Sequence, residues 1–428
     1  MTGRRRPGAR PPAPATGTER ELVIAAVGAQ GDGVSADGVF VPLTLPGETV
    51  RALVSEGRGE LERLLTSSSD RATPACPHFG ACGGCALQHW ADGSYRAWKL
   101  DIVRQNLARV RLEAPLDLAF AAAPGTRRRL ALHARRHGRE VVLGFKARRA
   151  WSVVPLEVCA VAAPALTAAL PALRALAAPF LVGPKSAPIL HVTLTETGID
   201  CEVTGVERPG PSADARVAIA SLAAQADLVR VSLSGEGLYQ SRPAVVRFGS
   251  ARVEMPPGAF LQAVPGAETA MAELVAGWGR GARRVADLYC GLGAFTFRLA
   301  EDSPVLAAEV SPAAVAALNR AKGAAPGLKA ISAEVRDLER RPVLAEELKG
   351  VDMVAFDPPR AGAAAQASQI ARSGVARVAA VSCNPATFAR DAKILADGGY
   401  RLERVAVVDQ FLWSPHIELV ALFQRPIA

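Results

Sequence analysis

Apolar and polar positions follow two different rhythms along the chain, and the change falls near residue 256. Beyond it, short apolar runs at Arg284–Leu288, Val305–Val310, Leu328–Ser332, Met353–Asp357 and Val378–Val381 are separated by stretches with helical spacing. That repeat predicts βαβ units and a parallel sheet. The last two runs, Leu402–Val408 and Ile417–Gln424, are joined by a loop too short to hold a helix. They predict an antiparallel pair.

The pattern before residue 256 is less regular. Leu22–Val27, Val39–Leu45 and Glu48–Val54 surround a Gln30-Gly31-Asp32-Gly33 turn, which suits a small β-barrel or, equally, a generic β module. A helix is expected after it, with Asp92 or Ser94 as cap and Trp98, Ile102, Leu107 and Val110 on one face. Between Arg127 and Arg149, eight arginines alternate with Leu130, Leu132, Val141, Leu143 and Phe145, predicting exposed strands with a basic face. Pro164–Ala178 reads as one Ala/Leu-rich helix, and strand-like sequence continues through Leu233. The shifts divide the chain into a disordered basic tail (1–20), a barrel (21–70), a central domain (71–255) and an α/β catalytic domain (256–428).

With 428 residues, half of them apolar, the chain can bury more than one core. It has no apolar run of bilayer length and no secretory leader, so a cytoplasmic protein without membrane association is expected. The net charge of +9 suggests a polyanionic partner such as nucleic acid. Only seven of the fifty basic residues are lysine, however, so the arginine excess equally fits a compositional bias. Seven cysteines in a chain of this size argue against a disulfide framework and for metal binding or catalysis.

The chemistry gathers at strand ends, where open α/β sheets place it. After the first strand comes Asp287-Leu288-Tyr289-Cys290-Gly291-Leu292-Gly293, a turn that lets backbone approach a ligand closely. A dinucleotide site would carry a third glycine where this chain has Thr296. Glu309, 22 residues past Asp287, can bind both hydroxyls of a ribose, and Ser311-Pro312 opens the next helix. Acidic ribose recognition without the third glycine favours S-adenosylmethionine. The next ends carry Asp357-Pro358-Pro359-Arg360 and Ser382-Cys383-Asn384-Pro385. Cys383 precedes a helix whose dipole would favour its thiolate, and Glu418 opens the final strand among apolar neighbours that would raise its pKa. A thiolate added to C6 of a pyrimidine makes C5 nucleophilic, so a cysteine beside a methyl sulfonium, with a base for the C5 proton, suits covalent methylation. Cys201 and Cys290 read as structural.

Together these residues resemble the uracil-5 RNA methyltransferase family, in particular its iron–sulfur-containing ribosomal RNA branch. The likeness covers nearly all of the chain after residue 20. Gln30–Gly33 with Leu45-Pro46-Gly47-Glu48 resembles the family's TRAM domain, an RNA-binding barrel. Phe260-Leu261-Gln262, Asp287–Gly293, Asp357–Gly362, Ser382–Pro385 and His416–Glu418 match successive catalytic motifs. The resemblance implies a Rossmann-like methyltransferase domain, with Gln262, Tyr289, Glu309, Asp337 and Asp357 contacting S-adenosylmethionine, Cys383 as nucleophile and Glu418 as proton acceptor. Two positions depart from the family's habit of asparagine, Ala294 after the glycine turn and Val264 after the matched glutamine.

Cys76, Cys82 and Cys85 lie within ten residues, and Cys159 follows 74 residues later. On chemistry alone this set suits zinc or an iron–sulfur cluster; a local triplet with one distant ligand is commoner for the latter. The resemblance implies that the four hold a [4Fe–4S] cluster within a central α+β domain. The expected protein is a monomer that methylates a uridine in structured RNA, ribosomal RNA first. A transfer RNA uridine methylase and a non-catalytic RNA-binding protein on the same fold are the alternatives.

Overall fold

The computed structural model of the protein describes residues 17–183 and 185–426. Residues 1–16 of the expected tail lie outside the described residues. The chain divides into two compact units: residues up to 80 with 85–98 and 413–415, and residues 81–84, 99–412 and 416 onward.

In the first unit, β1 (Thr18–Val27), β2 (Gly33–Ser35), β3 (Phe40–Val41), β4 (Thr49–Ser55) and β5 (Arg58–Thr66) close a barrel in the order β1-β2-β3-β5-β4. Alternation along β1 turns Leu22 and Ile24 inward against Val39, Val41, Val50 and Ala52. Thr18, Glu19 and Arg20, expected in the tail, instead pair with Val54, Leu53 and Ala52. Ladder hydrogen bonds recruit them although their side chains are polar. The Val39–Leu45 run is strand only over β3: Leu43 takes φ 64°, and Thr44 Oγ1 donates to the Val41 carbonyl at 2.8 Å, turning the chain. β5 escapes the apolar pattern because Leu61 and Leu64 are its only leucines packed on the core among several charges.

α1 (Asp92–Arg109) begins at Asp92, and Ser94 donates to Asp70 at 2.7 Å instead of capping the helix. β6 (Leu116–Ala121) follows. The second unit then builds a seven-stranded sheet from β7 (Arg129–His137), β8 (Glu140–Lys146), β9 (Val153–Pro155), β10 (Ile189–Thr195), β11 (Gly198–Thr204), β12 (Arg230–Leu233) and β13 (Glu236–Gln240). Its order is β13-β12-β11-β10-β7-β8-β9. The single helix expected over Pro164–Ala178 is two, α2 (Pro164–Ala168) and α3 (Leu170–Ala177), since Pro171 in the first turn of α3 has no N–H with which to continue α2. α4 (Ala213–Gln225) and a hairpin, β14 (Val245–Phe248) with β15 (Ala251–Glu254), complete this part.

The same unit holds the α/β sheet. Its elements are α5 (Pro265–Gly279), β16 (Val285–Leu288), α6 (Ala294–Leu299), β17 (Val305–Glu309), α7 (Pro312–Ala324), β18 (Ile331–Val335), β19 (Met353–Phe356), α8 (Ala364–Arg372), β20 (Arg377–Ser382), α9 (Pro385–Asp397), β21 (Arg401–Asp409) and β22 (Glu418–Gln424). Eight strands run β18-β17-β16-β19-β20-β22-β21-β6. The first five are parallel, as the alternating pattern requires, and all four residues of β19 are buried, as befits a strand covered on both faces. β22 is antiparallel to β20 and β21. The eighth strand is unexpected: β6 lies parallel to β21, so a segment assigned to the central domain completes the catalytic sheet. No helix among the described residues is long and apolar enough to cross a membrane.

Candidate active site

Strand register brings the chemistry together. The ladder of β20 with β22 ends at Ser382 opposite Leu419, and just past it the Glu418 carboxylate is close enough to Cys383 to act on its thiol. Val408 of β21 pairs with Glu418 from the other side. Asp357 follows β19 and Asp287 lies within β16, both at the same end of the sheet. One edge of the sheet thus gathers the acid, the thiol and the second acid that the motifs singled out.

The glycine turn is shaped by its backbone. Gly293 sits at φ 94°, and a Cβ there would stand 2.8 Å from the Phe297 ring and 3.0 Å from Leu318. Only glycine fits. Tyr289 also takes a left-handed φ of 62°, and burial, with the charges of Glu339, Asp391 and Asp337, pushes its phenol up to about 12. Glu309 accepts from the Gly291 N–H at 3.1 Å with one oxygen and from the Ser311 N–H at 2.9 Å with the other. Its carboxylate is held in place with a lone pair to spare on each oxygen for a diol. Thr296, in the third-glycine position, donates to Asp287 Oδ2, while the other Asp287 oxygen is buried without a partner. Burial raises Asp287 to about 7.

A chain of amides joins the remaining groups. Gln262 Nε2 donates to Asp357 at 3.1 Å; Gln410 Nε2 donates to Gln262 Oε1 at 2.6 Å and to Glu418 at 2.9 Å. Gln410 Oε1 accepts from the Ala263 N–H at 2.8 Å. Burial, opposed by the Gln262 hydrogen bond, brings Asp357 to about 7. Burial and the nearby Asp357 raise Glu418 well above the carboxylate range, the direction expected of a base. Cys383 goes against expectation. Burial, then the charges of Glu418 and Asp357, lift its thiol to about 11, outweighing a helix N-terminus one residue away. At about 11, the thiol form of Cys383 is favoured over the thiolate at neutral pH.

Several supporting residues carry no signal in the motifs. Arg128 Nε donates to the Gln262 carbonyl at 3.0 Å, and its ion pair with Glu268 at 2.6 Å is buried. Arg129 donates to the Leu261 carbonyl and lays its guanidinium 5.1 Å from the Phe260 ring. Two members of the supposed basic face therefore fasten the Phe260–Gln262 segment. Lys99, fully buried, pairs with Asp409 and donates to the carbonyls of His416 at 2.9 Å and Phe411 at 3.2 Å. It thereby pins both sides of the loop between Gln410 and Glu418. The polar Asp409-Gln410 pair closing an apolar strand is the one sequence signal that could have exposed this.

Asp337 lies in the turn after β18, half-buried, and accepts from the Glu339 and Arg340 N–H groups at 3.1 and 3.3 Å. It stands near Tyr289, not in the amide chain. Cys201 and Cys290 are buried, and burial pushes both thiols far up, in keeping with structural roles. Cys76, Cys82, Cys85 and Cys159 are each half-buried. The Gly84 N–H points at Cys82 Sγ across 3.4 Å, the sort of bond a thiolate ligand accepts. The donor chemistry of the four thiols suits a metal cluster. Among the described residues no group of three or more His, Cys, Asp or Glu is placed to hold a metal ion.

Comparison with known proteins bears on the whole chain. A family model described as tRNA (Uracil-5-)-methyltransferase matches residues 253–426. An uncharacterized RNA methyltransferase of Caulobacter vibrioides is 58% identical over 95% of this chain and 100% of its own length. The 23S rRNA (uracil(1939)-C(5))-methyltransferase RlmD of Halomonas elongata is 34% identical over 95% of this chain and 90% of its own. Among solved structures, the Pyrococcus abyssi tRNA (uracil-54, C5)-methyltransferase in complex with S-adenosyl-L-homocysteine shares the fold. It has a TM-score of 0.72 and 22% identity, over 94% of this chain and 100% of that one.

Proposed function

The chain belongs to the RNA uracil-5-methyltransferase family, and from that premise we propose that it methylates C5 of a uridine in 23S ribosomal RNA through a covalent bond from Cys383 to C6. The enzyme is an S-adenosylmethionine-dependent RNA (uracil-5-)methyltransferase. The observation that carries the covalent reading is the nearness of Cys383 to Glu418, with Asp357 acting on both.

S-adenosylmethionine supplies a methyl group on a positively charged sulfur. Glu309 holds the ribose hydroxyls, Gln262 and Asp357 the charged end, and Tyr289 lines the turn. Asp337 is assigned with them, although its carboxylate already closes its own turn. A cation beside Asp357 offsets the negative field on Cys383 and brings its thiol down toward the thiolate. Cys383 Sγ then bonds to C6, and the electron pair displaced onto C5 attacks the methyl carbon, whose bond to sulfur breaks with its pair left on sulfur, releasing neutral-sulfur S-adenosylhomocysteine. Glu418 accepts the C5 proton; the C5–H pair restores the C5–C6 double bond and expels Cys383. A base stacked in a helix hides this face, so the target uridine is flipped into the site.

Ribosomal RNA as substrate rests on the 34% identical RlmD relative, and the barrel is assigned as a TRAM-like RNA-binding module on its sequence turn and its closure. The four cysteines are proposed as [4Fe–4S] ligands on their spacing and donor chemistry alone, and no step of the reaction passes through them. The test is methylation of unmodified 23S rRNA and tRNA transcripts with tritiated cofactor, with 5-methyluridine mapped in the product. Label confined to rRNA, lost with Cys383→Ala, supports the proposal. Label confined to tRNA overturns the substrate, and undiminished label with Cys383→Ala overturns the mechanism.

A further inference from the structure

Gln410 lies at the close of β21, 2% exposed, with every strong bond of its amide committed. Its two amide hydrogens go to Gln262 Oε1 and Glu418 Oε2, and its oxygen takes the Ala263 N–H. The arrangement is directional. Gln262 spends its own N–H on Asp357, so its carbonyl oxygen must face Gln410. Gln410 in turn has its oxygen pinned by backbone, so its NH₂ must face Glu418. The orientation of both amides is dictated, and the carboxylate at the end meets a donor that cannot flip away.

Glu418 has little else to steady it. Asp357, after β19, is the titratable group that opposes its negative charge; Cys383, after β20, faces it as a neutral thiol. Asp409, next to Gln410, is turned to Lys99 of α1. Donation from Gln410 is the bond that favours the ionised carboxylate.

We propose that Gln410 is a positioning residue for the proton-abstraction step, aiming the Glu418 carboxylate and tying it through Gln262 to the Asp357 end of the site. This deepens the assignment of Glu418 as proton acceptor and rests on it. Nucleophilic attack and methyl transfer precede the step that needs an ionised, aimed Glu418. Loss of Gln410 therefore slows breakdown of the methylated covalent intermediate and spares its formation. The loss is greatest at low pH, because a carboxylate without its donor ionises later.

The test compares Gln410→Met, similar in length but without donor or acceptor, with wild type and Glu418→Gln in the full-length protein. Single-turnover methyl transfer to rRNA and tritium release from 5-tritiated uridine are followed from pH 6 to 9, and denaturation-resistant protein–RNA adduct is measured alongside. With Gln410→Met at saturating cofactor, methyl transfer should stay within about twofold of wild type, the lost bond to Gln262 showing only as a higher cofactor concentration for half-saturation. Tritium release at pH 6.5 should fall about tenfold, the acid limb should move up by about one unit, and adduct should accumulate. Equal loss of methyl transfer and tritium release, or an unmoved acid limb, overturns the proposal, since that is what a merely structural role predicts. If Glu418→Gln releases tritium as wild type does and forms no excess adduct, the failure lies in the base assignment itself.

Discussion

With Asp357 as the proposed cofactor contact, binding should release protons in a calculable amount. The Asp357 carboxylate, packed away from water, titrates near 7 in the cofactor-free protein, well above the ordinary aspartate value. An opposite charge within a few ångströms lowers a carboxylate by 1–3 units; taking two, the bound value is about 5. At pH 6.5 the free site is then about three-quarters protonated and the bound site nearly fully ionised, a release of about 0.7 proton per cofactor. Asp287, also near 7, can raise this toward about 1.4 if it follows fully. Two units correspond to about 2.7 kcal/mol, so affinity should strengthen up to roughly tenfold per pH unit between about 5 and 7 and level off above. The sign for folding is the reverse. A carboxylate raised in the fold loses stability as pH climbs from about 4 toward 7, so the thermal shift given by cofactor should widen over that window. Calorimetry at pH 6.5 in buffers of different ionisation enthalpy measures the protons directly. S-adenosylhomocysteine, which lacks the sulfonium charge, should release fewer, and Asp357→Asn should remove about 0.7 proton, half of the total where Asp287 follows fully and all of it where Asp287 does not. An affinity flat from pH 5.5 to 7.5 with no buffer dependence would refute the reasoning.

Three further outcomes follow from the geometry. Lys99→Met leaves the Asp409 charge buried and should cost about 3–5 kcal/mol in chemical denaturation, partly recovered by adding Asp409→Leu. Gly293→Ala forces a left-handed alanine against the Phe297 ring; it should destabilise the fold by about 1–3 kcal/mol and raise the KM for cofactor more than that for RNA. Cys82→Ser should abolish bound iron and the associated visible absorbance, and unchanged iron content would remove the cluster assignment.

The parallel sheet and its acid- and thiol-bearing strand ends were legible because a doubly covered strand must be continuously apolar and a strand-end turn must interrupt it with glycine, proline or acid. Asp287, Asp357, Cys383 and Glu418 each stand at such an interruption, and register did the rest. What stayed hidden was non-local. Arg128 looks like its seven neighbours until Glu268 is folded against it, and Gln410 means nothing until Gln262 and Glu418 flank it. The pKa of Cys383 failed for the same reason: the helix dipole is a local feature, while the opposing carboxylates arrive from other strands. The split at Pro171, by contrast, was readable from that residue alone.

β6 has a consequence for anyone dividing this protein. The family match begins at residue 253, yet β21 leans its outer side on Leu116–Ala121. Excising 253–426 would leave Val405–Val408, all fully buried, beside an open row of peptide groups, an invitation for a second copy to dock there. The catalytic half is therefore not a transplantable module: its last seam is sewn by a stretch of chain nearly three hundred residues upstream.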